Sequence, residues 1–80
     1  MRLPRDVSGA DLARALRMLS YEVTRQTGSH LRLTTSEKGT HHVTIPNHNP
    51  IRIGTLAAIL DDAANHFGIT RSELLSKISL

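Results

Sequence analysis

His30 and Arg32 are the residues whose types and spacing best suit chemistry on a phosphate group. They alternate with Leu31 and Leu33 in a segment that follows Gly28. Because successive strand residues point to opposite faces, the two leucines share one face and His30 and Arg32 share the other. Histidine titrates near neutral pH, and arginine holds phosphate oxygens through a planar fork of N–H donors. The pattern therefore predicts an open sheet face that handles a phosphodiester.

Cleavage of RNA without a metal needs proton transfer and charge stabilisation, which such side chains can supply. The 2′-hydroxyl must lose a proton, the charged phosphorane must be stabilised, and the leaving 5′-oxygen must gain a proton. A histidine with an ordinary pKa of about 6.5 can perform the first or the third step. Cationic donors perform the second. His30 is therefore the candidate general acid or base, and the alternative is an ordinary exposed strand histidine.

Other polar residues near this segment have a functional and a structural interpretation. Arg25 and Arg32 are candidates for holding phosphates, but Arg32 could instead pair with Glu22 across the strands. Strand parity gives Arg25 the core face, although it lies at the hairpin end, where it can reach solvent. Ser29 is a candidate donor to phosphate or a hairpin-stabilising residue. His42 shares the predicted open face and is a candidate second proton carrier.

The histidines do not predict a metal site. His41 and His42 are adjacent, so a strand points them to opposite faces, and the chain has no cysteine. No His-x-x-x-His pair lies on a predicted helix. We expect no metal and no cofactor.

Length and composition predict one small domain over residues 1–80. A chain of 80 residues buries only about 60 to 65% of its unfolded surface, so a partner that binds the folded state would help it. No apolar run approaches the roughly 20 residues of a membrane helix, and the start lacks a signal-peptide core. We expect a soluble cytoplasmic protein.

The net charge is +3 and eight of the ten bases are arginine, which permits nucleic acid or an acidic protein as partner. The two aromatic residues argue against a base-stacking platform.

Periodicity predicts three helices and three strands. Ser8 and Asp11 begin the first amphipathic helix with a capping-box pattern, and Thr70 and Glu73 begin the last. The strands are predicted at residues 21–25, 29–35 and 41–45, and a middle helix at 54–66 that ends at Gly68. The order α-β-β-β-α-α predicts an α+β fold with a three-stranded antiparallel sheet and helices on one face.

The first hairpin has two possible registers, and the apolar pattern favours one. A two-residue loop at 27–28 would pair Val23 with Arg32, which places apolar and charged residues on the same face. A three-residue loop at 26–28 pairs Val23 with Leu31, and Gly28 supplies its left-handed residue. The second register gives these further assignments: Tyr21 opposite Leu33, Thr24 opposite His30, Glu22 opposite Arg32, and a core face of Tyr21, Val23, Leu31, Leu33, Val43 and Ile45.

Several segments together resemble the HicA toxins, small ribonucleases (mRNA interferases) of bacterial toxin–antitoxin pairs. The resemblance extends from about Val7 to Leu75. The segments that carry it are Ser8-Gly9-Ala10-Asp11-Leu12, Ser20-Tyr21-Glu22-Val23, Arg25-Gln26-Thr27-Gly28-Ser29-His30-Leu31-Arg32-Leu33, Val43-Thr44-Ile45-Pro46-Asn47-His48 and Gly54-Thr55-Leu56-Ala57-Ala58-Ile59-Leu60.

The resemblance implies a function and a partner. The family fold is similar to double-stranded-RNA-binding domains, and the motif histidine that is catalytic in the family is His30 by position. His48 matches a family histidine and is a candidate RNA contact, with loop capping as its alternative. Arg52 is the base of the following loop and a further candidate for RNA. The partner implied is a HicB-like antitoxin that blocks the active site, and the substrate implied is mRNA.

The sequence thus predicts a metal-independent endoribonuclease toxin. The alternatives are a non-catalytic module that binds double-stranded RNA by shape and an inactive protein that keeps the toxin fold for protein interaction. An enzyme needs His30 for activity, whereas a binder should tolerate its replacement.

Overall fold

The structure, a computed structural model, describes residues 3–80 and contains the six main elements predicted from the sequence. Met1 and Arg2, which the sequence analysis included in the domain, lie outside the described residues. The elements are α1 (Gly9–Leu16) with a 3-10 turn after it (Arg17–Leu19), β1 (Glu22–Thr27), β2 (His30–Thr35), β3 (His41–Pro46), α2 (Ile53–Phe67) and α3 (Arg71–Lys77). The α-β-β-β-α-α order and the antiparallel sheet, with strand order β1-β2-β3, are confirmed.

Two helices begin with the predicted capping boxes. The Ser8 hydroxyl accepts from the Asp11 backbone N–H at 3.0 Å, and the Asp11 carboxylate accepts from the Ser8 N–H at 3.4 Å. Thr70 and Glu73 form the same reciprocal pair at 3.1 and 3.0 Å. Each box satisfies two backbone donors that a helix start leaves unpaired. The sequence therefore fixes where α1 and α3 begin.

The core lies between the helices and one face of the sheet. The apolar stripe of α2 at Leu56, Ile59, Leu60 and Ala63 is buried, and Phe67 at its end is half-buried. The helix begins at Ile53, slightly earlier than expected, and Gly68 is its left-handed C-cap. The residues of the core, all buried, include Leu12, Leu16, Tyr21, Leu31, Leu33, Val43, Ile45, Leu56, Leu60 and Leu74.

The β2–β3 pairing confirms the predicted faces of these strands. Leu31 pairs with Ile45 and Leu33 pairs with Val43, and all four side chains are buried. The residues that alternate with them lie on the opposite side, which we call the open face. His30 is on the open face, as strand parity predicted.

The register predicted for the first hairpin is wrong. Thr27 pairs with His30, so the loop has two residues, Gly28 and Ser29. Gly28 occupies the first loop position with a φ of +52°, a conformation that glycine adopts without steric cost. A β-bulge between Val23 and Arg25 then shifts the register, so that Val23 pairs with Leu33. The bulge removes the face conflict that a regular two-residue hairpin would create.

The observed register corrects three further assignments in β1, and Leu33 faces Val23 rather than Tyr21. Arg25 lies on the open face opposite Arg32, not on the core face. Glu22 is opposite Thr34 rather than Arg32, and Thr24 is the bulged residue rather than the partner of His30. Val23 keeps core-face parity but is 46% exposed, because β1 is an edge strand that the helices cover incompletely.

The N-terminus of α1 packs directly on the segment that follows β3. The Gly9 N–H donates to the His48 carbonyl at 2.9 Å. A Cβ atom at Gly9 would lie 2.5 Å from the Pro46 carbonyl oxygen and 2.9 Å from the Asn47 Cα. Only glycine permits this approach without movement of the backbone. The contact holds the end of β3 beside the turn that carries His30, because the Asn47 N–H donates to the Ser29 carbonyl at 2.6 Å.

Candidate functional site

The open face presents three rows that cross the strands, and each row contains one residue from each strand. Row 1 lies next to the hairpin turn and row 3 is farthest from it. The rows are Thr27–His30–Pro46 (row 1), Arg25–Arg32–Thr44 (row 2) and Glu22–Thr34–His42 (row 3).

His30, in row 1, is exposed to solvent. It is the first residue of β2, directly after the two-residue loop, and its side chain is exposed. Within residues 3–80 no hydrogen bond or ion pair occupies its imidazole. The ring is therefore available to exchange a proton with a bound molecule.

Row 2 contains two exposed arginines that face each other across β1 and β2. Arg25 and Arg32 are direct cross-strand partners, which brings their Cα atoms to about 5 Å. The ion pairs found in residues 3–80 involve neither of them, so the predicted alternative of an Arg32–Glu22 pair is not formed. Like charges opposite one another destabilise a sheet. An anion such as a phosphate would relieve this repulsion.

Row 3 contains a hydrogen-bonded chain that the sequence analysis did not anticipate. The Thr24 and Thr34 hydroxyls lie 2.8 Å apart, and the Thr34 hydroxyl lies 2.7 Å from Nδ1 of His42. His42 was expected on the open face, and it is exposed there. Thr24 joins the chain only because the bulge redirects it, so strand alternation alone could not reveal the contact.

Three other predicted residues lie outside the three rows, in loops or at the start of a helix. Ser29 is in the hairpin loop, and its carbonyl accepts from Asn47. His48 is exposed in the loop after β3, where its carbonyl accepts from Gly9. Arg52 is exposed farther along the chain, at the N-cap of α2. The structure thus brings His30, Arg25 and Arg32 onto adjacent rows, and it leaves Ser29 in the hairpin loop and His48 and Arg52 in the loop between β3 and α2.

A cluster that contains His41 and His66 lies on the helix side of the sheet and was missed by sequence analysis. Burial, with a smaller contribution from Asp62, raises the pKa of Tyr21 to about 12. The Tyr21 hydroxyl lies 2.7 Å from Nδ1 of His41. Nε2 of His41 donates to the Asp62 carboxylate, 3.3 Å away, so in the neutral ring Nδ1 accepts from Tyr21. His66 stacks on His41 with ring centroids 4.4 Å apart and donates to the Glu37 carbonyl.

The acidic pair of α2 is used in contacts within the protein. Asp62 binds His41, and Asp61 forms a two-pronged pair with Arg71 at 2.7 and 2.6 Å. The hydrogen bond from Arg71 lowers the pKa of the Asp61 carboxyl, and the same bond raises the pKa of Arg71. Asp61 is therefore paired with Arg71 and Asp62 with His41, and neither carboxylate pairs with the arginines of row 2.

Comparison with protein families supplies the identity that the geometry leaves open. The family model described as HicA toxin of bacterial toxin-antitoxin matches residues 9–64. This range runs from the first residue of α1 into α2 and includes all three rows. The chain belongs to the HicA toxin family. It is therefore the toxin of a toxin–antitoxin system and has an antitoxin as its partner.

Other comparisons and searches give negative results. No curated protein and no solved structure matches the chain. The predicted likeness to double-stranded-RNA-binding domains stays a prediction. Within residues 3–80, no group of three or more His, Cys, Asp or Glu side chains is close enough to hold a metal ion. The described part of the chain also contains no helix of the length and hydropathy needed to cross a membrane.

Proposed function

We propose that this HicA toxin is an endoribonuclease that cleaves mRNA with His30 as its general acid or base and without a metal ion. The observation that carries the proposal is the adjacency of rows 1 and 2. An unoccupied imidazole lies one row from two opposed arginines that have no carboxylate partner in the described chain. Family membership supports the same chemistry.

The arginines of row 2 bind the phosphate and stabilise the transition state. The guanidiniums of Arg25 and Arg32 donate to its non-bridging oxygens, which gain negative charge as the phosphorane forms. The two positive charges are already held together by the cross-strand pairing, so their mutual repulsion is relieved when the phosphate binds. Ser29, His48 and Arg52 extend the RNA-binding surface beyond the turn and along the loop after β3.

His30 transfers a proton at the scissile linkage. As a base, it takes the proton of the 2′-hydroxyl while that oxygen attacks the neighbouring phosphorus. As an acid, it gives a proton to the 5′-oxygen when the phosphorus–oxygen bond breaks, and water exchanges the other proton. Either role leaves a 2′,3′-cyclic phosphate on one fragment and a 5′-hydroxyl on the other.

The end groups and the effect of a chelator test this chemistry. Purified toxin should cleave RNA in EDTA and leave 2′,3′-cyclic phosphate ends, identified by mass spectrometry of the fragments. Lys77→Ala, which removes a positive charge from α3, is the matched control for loss of charge and should cleave at the rate of the wild type. His30→Gln, purified in the same way, is the control for trace nuclease and should cleave far more slowly. Cleavage that requires an added divalent ion would indicate metal-activated water and would overturn the proposal.

We further propose that the antitoxin is an acidic, HicB-like protein that covers the His30 face. Arg25, Arg32 and Arg52 supply the charge for this contact, and complementary charge accelerates association at low salt. The complex should lack ribonuclease activity, and its association rate should fall with increasing salt. A complex that cleaves RNA as fast as free toxin would show that the antitoxin binds elsewhere.

A further inference from the structure

The rows of the open face have a spacing that suits a nucleic-acid backbone. Residues two apart on a strand are separated by about 6.8 Å, so row 3 lies about 14 Å from row 1. The step between adjacent rows, about 6.8 Å, is comparable to the distance between successive phosphates of an extended strand. A chain that places one phosphate at the arginines of row 2 therefore brings a neighbouring phosphate close to row 3.

The hydrogen-bonded chain in row 3 prepares His42 to donate to such a phosphate. The Thr24 hydroxyl lies 3.4 Å from the Arg32 carbonyl and 2.8 Å from the Thr34 hydroxyl, and the Thr34 hydroxyl lies 2.7 Å from Nδ1 of His42. The bond to Thr34 engages Nδ1, so Nε2 is the ring nitrogen left for a ligand. A phosphate oxygen only accepts hydrogen bonds, so its binding selects the form of the ring in which Nε2 carries a proton.

Nε2 of His42 is free for a ligand. Within residues 3–80, the His42 side chain makes one hydrogen bond, to Thr34, and its ring is exposed. The bond to Thr34 also restricts the rotation of the ring, which lowers the entropy lost when a ligand binds. An N–H donor that is held in place beside a row of arginines is suited to a phosphate oxygen.

We infer that His42, oriented by Thr34 and Thr24, forms a second phosphate subsite in row 3, so that single-stranded RNA lies along β2 with successive phosphates on neighbouring rows. The inference rests on the proposed function and specifies the substrate of the same face. His42 acts here in binding, and His30 keeps the proton transfer.

The chemistry of cleavage favours single-stranded RNA on this path. Attack by the 2′-hydroxyl requires that oxygen to lie opposite the leaving 5′-oxygen, an arrangement that an A-form duplex does not hold. An unpaired strand reaches it by rotation of its backbone. The three rows carry no Tyr, Phe or Trp, so the face recognises the backbone rather than stacked bases.

Glu22 determines which side of row 3 the RNA follows. It is the β1 member of this row, whereas His42 is the β3 member, and Thr34 lies between them. The carboxylate repels phosphate at the β1 edge, so the backbone passes on the β3 side, over His42. Neutralising Glu22 should therefore tighten RNA binding, which is a gain that general damage to the fold would not produce.

The test measures binding separately from cleavage, in a His30→Gln background that suppresses turnover. NMR titration with a dinucleotide, which has one phosphate linkage, should perturb the backbone signals of rows 1 and 2. A pentanucleotide should also perturb Thr34 and His42. Adding His42→Ala should weaken pentanucleotide binding about 10-fold, the lower limit for a hydrogen bond to a charged group, and leave dinucleotide binding within 2-fold. Thr34→Val should also weaken pentanucleotide binding, and Glu22→Gln should strengthen pentanucleotide binding.

Controls separate this inference from a structural effect and from the proposed function. Lys77→Ala should bind both RNAs like the background protein, and every variant should keep a folded NMR spectrum. Equal weakening of both RNAs by His42→Ala, no weakening of either, or tighter binding of a duplex of the same sequence would overturn the subsite. If the binding pattern holds but wild-type toxin does not cleave RNA, the proposed nuclease function fails and the subsite stands.

Discussion

Replacing Arg25 should make the protein more stable and less able to bind RNA. Arg25 and Arg32 are directly opposed across β1 and β2, and the ion pairs of residues 3–80 leave both without a carboxylate. Their repulsion persists in the free protein because the backbone pairing holds them together. A residue kept in an unfavourable position is expected where it serves a ligand.

The magnitude follows from the cross-strand geometry. Unfavourable and favourable cross-strand pairs differ from a neutral pair by roughly 0.2–1 kcal/mol. Arg25→Thr, which keeps a strand-forming residue, should therefore raise the free energy of unfolding by about 0.5 kcal/mol. For a domain of this size this is an increase of about 2–4 °C in Tm. Arg25→Glu creates an attractive pair with Arg32 and should raise Tm further. Both gains should shrink in high salt, which screens exposed charges.

RNA binding should change in the opposite direction. The affinity for single-stranded RNA falls with salt with a logarithmic slope of about −0.7 for each phosphate that is neutralised. Arg25→Thr leaves Arg32 on the phosphate and should reduce the size of this slope by less than about 0.7, whereas Arg25→Glu also offsets the charge of Arg32 and should reduce it by about 0.7. Thermal unfolding and fluorescence-detected RNA titration at several salt concentrations measure the two effects on the same samples. A fall in Tm for Arg25→Glu, or an unchanged salt slope for both variants, would refute the cross-strand pairing of the arginines or their role in binding.

Two further predictions concern the helix side of the protein. Burial and Asp62 raise the pKa of Tyr21 to about 12, so the folded state holds this proton more tightly than the unfolded chain does. Its contribution to the free energy of unfolding is therefore complete below the ordinary tyrosine pKa of about 10 and is lost as pH rises from there through about 12. Urea unfolding should show a shallower alkaline decline for Tyr21→Phe than for wild type, and parallel curves would contradict this assignment. Gly9→Ala should cost about 1–3 kcal/mol in urea unfolding, since its new methyl group meets the backbone at Pro46. Gly54→Ala, which has open space around its Cβ position, is the matched control, and equal losses would show that packing against Pro46 is not the cause.

The sequence predicts the parts of this fold that depend on local or strictly periodic signals. Both capping boxes are formed by residues three apart, and their side chains need no distant partner. Leu31 and Leu33 alternate with His30, so β2 could be oriented with His30 outward before its neighbours were known. Burial of one face made that assignment robust, because a slip of one residue would have moved the apolar side chains of the strand to the solvent face.

The hairpin register and the histidine cluster lie beyond such signals. The sequence exposed the conflict between Val23 and Arg32 in a regular two-residue hairpin, but a longer loop and a bulge both resolve it. The bulge prevails in the structure, and it moves Arg25 to the open face. The contact between His41 and Asp62 joins residues 21 positions apart on β3 and α2. Such a contact depends on how the helix packs on the sheet, which periodicity does not specify.

The nuclease role of His30 is tested most directly by the rate of RNA cleavage in His30→Gln. Glutamine retains polarity and hydrogen bonding but cannot transfer a proton near neutral pH. With RNA in single-turnover conditions and EDTA present, the variant should cleave about 100- to 10,000-fold more slowly than wild type, the range for loss of a general acid or base. Its Tm and RNA affinity should remain close to those of wild type, because His30 is exposed and is not part of the core. Cleavage by His30→Gln at the wild-type rate would contradict the account.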